Sequence, residues 1–312
     1  MNTNVKKKTR EVDMTTGKLL PKILVFATVL ILTAILQLLF NSADMIVVGQ
    51  FVNNNAVGAV GATSSLNSLI INVAIGFSVG AGVVAASAYG AKNREYGNQV
   101  LHTSIVLSVI VGIIVGAVGF LLAGDLLELM QTPDEQIVYA TEYLEIIFLG
   151  TPFNLLYNFG SSMLRAVGDT KRPLIYLTIS GIINVIINIV TVTVFNMDVV
   201  GVAIATIFSQ AVSAVLVLRA LIKRQDECRF EFKKMYIHKS ALLRMARIGV
   251  PAGLQGSLFS ISNVLIQSSV NSFGAAHMSG SAAASSIEGF CYVTMNSFHQ
   301  TALNFCGQNY GA

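Results

Sequence analysis

Eight apolar stretches alternate with short polar ones along the chain. They run over about Ile23–Val52, Ala56–Tyr89, Val100–Ala123, Ile137–Met163, Pro173–Phe195, Val199–Ile222, Ile248–Phe273 and Ser279–Phe305. Each is long enough to cross the roughly 30 Å hydrocarbon core of a bilayer as a helix. The polar intervals are the connections. Asn53-Asn54-Asn55 is uncharged, and Gly90–Gln99 carries Lys92 and Arg94. Asp125–Gln136 is acidic, with Glu128, Asp134 and Glu135, whereas Arg165–Pro173 is basic. Pro173 suits the first turn of the fifth helix, where its missing N–H has no intrahelical partner to lose. Asn196-Met197-Asp198 reads as a tight turn, Lys223–Arg247 as a basic linker, and Gly274–Met278 as a short connection. The pattern predicts an all-α polytopic membrane protein with eight transmembrane helices.

Composition agrees. Of 312 residues, 54% are apolar and only 12% charged, about half the charge of a soluble domain, and mean hydropathy is +0.67. The distribution of charge orients the chain. All 20 Lys and Arg fall in the N-terminal arm, in the connections after the second, fourth and sixth helices, or at the bordering helix ends. Basic residues gather on the cytoplasmic side, which predicts a cytoplasmic N-terminus. Trp is absent, leaving Tyr and Phe to anchor the interfaces. Cys228, Cys291 and Cys306 show no metal spacing and no disulfide framework. A cleavable signal peptide is not evident, since the first apolar run is too long for one. There is no phosphate-binding Gly-x-x-x-x-Gly-Lys loop, no His-Glu-x-x-His and no Gly-x-Ser-x-Gly. His102, His238, His277 and His299 stand apart from one another. The pattern predicts neither an enzyme nor a nucleic-acid partner, and no cofactor.

Part of the pattern recurs. Leu39-Phe40-Asn41-Ser42-Ala43-Asp44-Met45-Ile46-Val47 reappears as Leu258-Phe259-Ser260-Ile261-Ser262-Asn263-Val264-Leu265-Ile266. Helices one and seven cross in the same direction, so the repeat is parallel with six helices per unit. Transporters are often built from two such halves with the substrate between them. The expected organisation is an arm over 1–22, a six-helix lobe over 23–222, an inter-lobe linker over 223–247 and the start of a second lobe over 248–312. About four more helices are expected beyond Ala312.

Asp44 is the one carboxylate in its apolar run. An acid at that depth is expensive, so it faces a cavity or a partner. At about 1.5 Å per residue, Asp44, Asn188 and Thr206 lie about 12–13 Å below the same membrane face on three helices. Asn184 is one turn from Asn188, and Asn41 nearly one turn from Asp44. These five are the candidate cation-coupling residues. The competing reading for Asn184, Asn188 and Thr206 is interhelical hydrogen bonding alone. Glu288 is a second intramembrane acid, either a substrate or proton site or a neutral Glu bonded to Asn263 or Gln267. Gln255, Phe259, Asn263 and Gln267 form one stripe on the seventh helix, followed by Met295, Phe298 and His299 on the eighth. Such a lining suits promiscuous binding, and equally plain packing. Glu142 and Glu145 read as a solvated rim, and Arg165, Asp169, Lys171 and Arg172 as surface anchors. Gly76-x-x-x-Gly80 and Gly112-x-x-x-Gly116 are small-residue packing signals.

Several motifs together resemble one family. They are Asn41-Ser42-Ala43-Asp44-Met45-Ile46-Val47-Val48-Gly49, Val60-Gly61-Ala62-Thr63-Ser64-Ser65 and Leu164-Arg165-Ala166-Val167-Gly168-Asp169-Thr170-Lys171-Arg172-Pro173. Ile248-Gly249-Val250-Pro251-Ala252-Gly253-Leu254-Gln255 and Gly307-Gln308-Asn309-Tyr310-Gly311-Ala312 complete the set. In these the chain resembles the multidrug and toxic compound extrusion (MATE) transporters, in their bacterial branch. The resemblance implies twelve helices in two lobes and export of organic cations and amphipathic drugs from the cell membrane, driven by inward H⁺ or Na⁺. It also implies a cation-linked network of an Asp on helix one, an Asn and an Asp on helix five and a Thr on helix six. Asp44, Asn184 and Thr206 match those positions, whereas Asn188 stands where the family often has Asp. With one carboxylate, H⁺ is expected over a coordinated Na⁺. Val29 is a second departure, at a position where the family often has Pro. A monomer in contact with membrane lipid is expected. The runner-up is a lipid-linked saccharide flippase of the same superfamily, which would favour mid-membrane cations that this chain lacks. An intramembrane enzyme or an inactive fragment are further alternatives.

Overall fold

The computed structural model describes residues 12–52, 54–130, 132, 134–224, 229–271 and 275–312, excluding some side chains in the second, seventh and eighth helices. The described residues form eight α-helices: α1 (Leu19–Phe51), α2 (Asn54–Gly90), α3 (Arg94–Leu129), α4 (Asp134–Ala166), α5 (Lys171–Thr193), α6 (Asp198–Ile222), α7 (Lys239–Asn271) and α8 (Ala275–Gly311). Among them α1, α3, α5 and α6 are long and apolar enough to cross a membrane, and α2 carries a shorter apolar stretch over Ile75–Gly90. The outside of the bundle is itself apolar: Leu121 is 76% exposed, Ile114 57% and Ile186 56%. An aliphatic surface of this extent belongs against lipid, and the chain is a multi-pass membrane protein.

The helices extend past the apolar runs that announce them. The pattern of apolar residues ends where hydrocarbon ends, but helix formation does not. The largest difference is at α7, which begins at Lys239 rather than near Ile248. Ala241 and Met245 on these extra turns are fully buried, in the cluster that also holds Ala81, Val100, Leu101 and Phe159. The linker is correspondingly shorter and is docked rather than loose. Asn98 Nδ2 donates to Arg229 O at 3.2 Å, and the amide of His238 donates to Thr103 Oγ1 at 3.1 Å. His102 takes the amide of Glu231 on Nε2 at 3.0 Å and stacks on Phe230 with ring centroids 5.0 Å apart.

α4 lies at the centre, packed against α2, α3 and α6, while α1 rests on α5 and α8 and α7 lies along α2. Glycines set the closest approaches. A Cβ at Gly76 would stand 2.3 Å from Gly253 N, and one at Gly80 2.4 Å from Met245 O. Gly249 in turn faces the Phe77 Cα at 2.7 Å. The Gly76-x-x-x-Gly80 signal therefore meets a second one, Gly249-x-x-x-Gly253, across an antiparallel crossing of α2 and α7. Gly112 and Gly116 serve the same purpose against Pro152 and Phe148 of α4.

The segment after residue 11 straps the two parts of the bundle together. Val12 N–H donates to Gly168 O at 3.2 Å, and Met14 O accepts from Asn309 Nδ2 of α8 at 3.0 Å. Met14 is fully buried with Phe26, Leu30 and Phe305. Asp169 differs from its expected place on the surface. It is 0% exposed, accepts the amide of Arg172 at 3.1 Å and pairs with Arg172 Nε at 3.2 Å. It satisfies one of the orphan N–H groups at the start of α5.

Candidate functional site

Asp44 sits two turns before the end of α1, flanked by Val47 and Val48, which are buried against Val192 of α5 and Val199 and Val202 of α6. α1 and α5 run in the same direction, with Phe40 over Gly181, which brings Asp44 level with Asn188. Asn188 Nδ2 donates to Asp44 Oδ1 at 2.5 Å and to Asn184 Oδ1 at 3.3 Å. Asn184 Nδ2 reaches Thr206 Oγ1 on α6 at 3.4 Å. The Thr206 hydroxyl also faces the Asp44 carboxyl and donates to Val202 O at 2.9 Å. Asn184 is 4% and Asn188 0% exposed. Four of the five candidate residues thus form one connected network across three helices.

One buried atom in this network lacks a partner. Asn188 Oδ1 makes no hydrogen bond among the described residues, and leaving such an acceptor dry is unfavourable by about 1–3 kcal/mol. An amide presents NH₂ on one side and oxygen on the other. It can donate to an ionised carboxylate, or, turned over, accept from a protonated one. The oxygens of Asp44, Asn184, Asn188 and Thr206 are also hard donors of the kind that suits a small alkali cation. Among the described residues no group of three His, Cys, Asp or Glu side chains could hold a metal ion.

Tyr143 of α4 is the residue that pattern reasoning missed. It packs against the valine cluster that lies between Asp44 and the end of α1 and lies within electrostatic reach of the carboxyl. Its neighbours Glu142 and Glu145 drew attention instead because they are charged. The one available signal was Tyr139 and Tyr143 at helical spacing.

The other candidates lie elsewhere. Asn41 is exposed on α1 and joins none of the hydrogen bonds among the other four. Gln255 and Glu288 are exposed, and Met295 is 67% and Phe298 42% exposed. Phe259 stacks on Tyr292 with centroids 5.7 Å apart. The side chains of Asn263 and Gln267 lie outside the described residues. Gln255, Glu288, Met295 and Phe298 mark faces of α7 and α8 that the described residues leave open.

A family model described as MatE matches residues 30–190, which includes Asp44, Asn184 and Asn188, and covers just over half of the chain. The chain belongs to the MatE family. Relatives include "Probable multidrug resistance protein YoeA" of Bacillus subtilis, 30% identical over 80% of this chain and 55% of its own. "Probable multidrug resistance protein YpnP" of the same organism is 28% identical over 96% of this chain and 67% of its own. "Multidrug export protein MepA" of Staphylococcus haemolyticus is 22% identical over 80% of this chain and 55% of its own. The chain spans little more than half the length of YoeA and MepA. A MOP superfamily transporter from Pyrococcus furiosus superimposes with a TM-score of 0.90 at 23% identity, covering 98% of this chain and 68% of that one. A MATE structure in a bent conformation gives 0.88 at 23% identity, over 96% and 67%. The fold is that of these transporters.

Proposed function

We propose that the chain is the first lobe and the beginning of the second lobe of a proton-coupled exporter of organic cations and other amphipathic drugs. On this reading all eight helices cross the cell membrane with the N-terminus inside, and 1–22, 23–222, 223–247 and 248–312 are arm, lobe, linker and second lobe. The linker's helical end is α7's first two turns.

The observation that carries the reading is the contact of Asp44 with Asn188. A lone carboxylate placed among two amides and a hydroxyl has two states of different charge. Ionised, it holds α1 to α5 through the Asn188 NH₂ group. Protonated, it no longer needs that donor, and Asn188 turns its otherwise unpartnered oxygen toward the acid proton. The first state favours one relative position of α1 against α5 and α6, and the second state another. A ligand shifts such an equilibrium only by its differential affinity for the two states, and here the ligand is H⁺. The multidrug names of the relatives and the absence of mid-membrane Lys or Arg support a cationic or amphipathic cargo over a pyrophosphate-linked one.

The test is dye efflux from cells expressing the full gene. A proton uncoupler should abolish export, and replacing Na⁺ by K⁺ should leave it unchanged. Export that survives the uncoupler and stops without Na⁺ would transfer the coupling role to Na⁺ at the same oxygens.

A further inference from the structure

We propose that the groove between the start of α5 and the end of α6 binds the phosphate headgroup of an anionic phospholipid. The two helices are antiparallel and joined by a tight turn, so the first turns of α5 adjoin the last turns of α6. Between them lies a cavity of about 330 Å³ lined by Arg172, Tyr176, Leu216, Arg219, Ala220 and Lys223. Three of the six residues are cations, and none is a carboxylate. Arg172 and Tyr176 are one turn apart on α5, and Arg219 is one turn before Lys223, the residue that caps α6, so each helix end presents its pair on one face.

The groove is preset at one wall. Arg172 is held through Nε by the buried Asp169 at 3.2 Å, which offsets one charge and leaves its remaining N–H donors for a second acceptor. Arg219 and Lys223 are exposed. They complement the negative end of α6, a role that needs neither Arg172 nor Tyr176 opposite them. The positive end of α5 adds to the field on the same spot.

What lies beyond the groove commits the ligand to a lipid. α5 exposes Ile175, Ile179, Ile182 and Ile186, at spacings that form a single stripe leading away from the cations. An acyl chain has a surface there, whereas a soluble phosphate ester does not. Basic pockets between helices on the cytoplasmic side recognise anionic headgroups in this way. The inference rests on the membrane placement given under Proposed function, and not on Asp44.

The test reconstitutes the full chain in vesicles of equal phosphatidylglycerol and phosphatidylcholine, re-extracts it and quantifies the lipid retained. Arg219→Gln/Lys223→Gln should lower the retained ratio of anionic to zwitterionic lipid roughly thirtyfold, about fivefold per charge. Lys233→Gln/Lys234→Gln, which removes two charges from the exposed linker, should leave the ratio unchanged. The exchanged pair Arg219→Lys/Lys223→Arg should retain it too, which separates a lost site from a lost fold. Asp44→Asn should retain lipid as the wild type does while losing export, so failure of the lipid site and failure of the coupling reading are distinct results. Equal loss in both Gln pairs, no loss in the groove pair, or displacement of the lipid by inorganic pyrophosphate would each overturn the proposal.

Discussion

Gly76→Ala is the sharpest test of how α2 meets α7. The added Cβ would lie 2.3 Å from Gly253 N, 2.4 Å from Gly253 Cα and 2.7 Å from Gly249 O. All three are backbone atoms, so no rotamer change relieves the overlap. Ordinary contact begins near 3.4 Å, so α7 must retreat by roughly 1 Å along the crossing. Overpacking of this kind destabilises by about 1–3 kcal/mol, and Ala recovers up to about 1 kcal/mol through helix propensity. Gly124→Ala is the control, because nothing lies within 4 Å of its added methyl; it should be neutral or stabilise by up to about 1 kcal/mol. The two variants should therefore differ by about 1–3 kcal/mol, or several degrees of melting temperature in detergent. A Gly76→Ala protein that melts at or above Gly124→Ala would refute the close crossing.

Phe26→Ala should destabilise the protein by about 3–5 kcal/mol, because Phe26 is fully buried and meets Phe305 edge-on at 5.7 Å; chemical denaturation checks this. Asn188→Asp should add Na⁺ dependence to export by placing a second carboxylate beside Asp44, read by repeating transport with Na⁺ replaced. In the strap, hydrogen bonds from Thr15 and Thr16 hold Asp13 below the usual carboxylate range. A lowered pKa in the folded state contributes stability above the unfolded value and loses it as pH falls through the folded one. The protection of the Thr15 amide, its exchange rate relative to an unstructured peptide at the same pH, should accordingly be unchanged from pH 7 to about pH 5, and fall below about pH 4 or in Asp13→Ala at any pH.

The helices were legible because hydrocarbon demands unbroken apolar runs. Asp44 was legible because a lone acid in such a run is conspicuous, and Asn188 and Thr206 because depth along a helix is simple arithmetic. What escaped depends on rotation about helix axes. Tyr143 comes within electrostatic reach of Asp44 only because α4 turns that side toward the valine cluster of α1, α5 and α6, and nothing in its local sequence signals that rotation. Asn41 lies nearly one turn from Asp44, but three residues fall about 60° short of a full turn, and it is exposed. The partner of Gly76-x-x-x-Gly80 is written in the sequence as Gly249-x-x-x-Gly253, yet nothing local says that the two meet. The early start of α7 was hidden for a different reason. A helix that leaves the membrane keeps its hydrogen bonds while losing its apolar signature.

The account turns on whether the protonation of Asp44 moves cargo. The most direct measurement is drug movement in proteoliposomes of the full gene product under an imposed pH gradient, comparing wild type with Asp44→Asn at matched incorporation. The account predicts gradient-driven accumulation by the wild type and only passive, gradient-independent exchange by the variant. Equal uphill accumulation by both would contradict it.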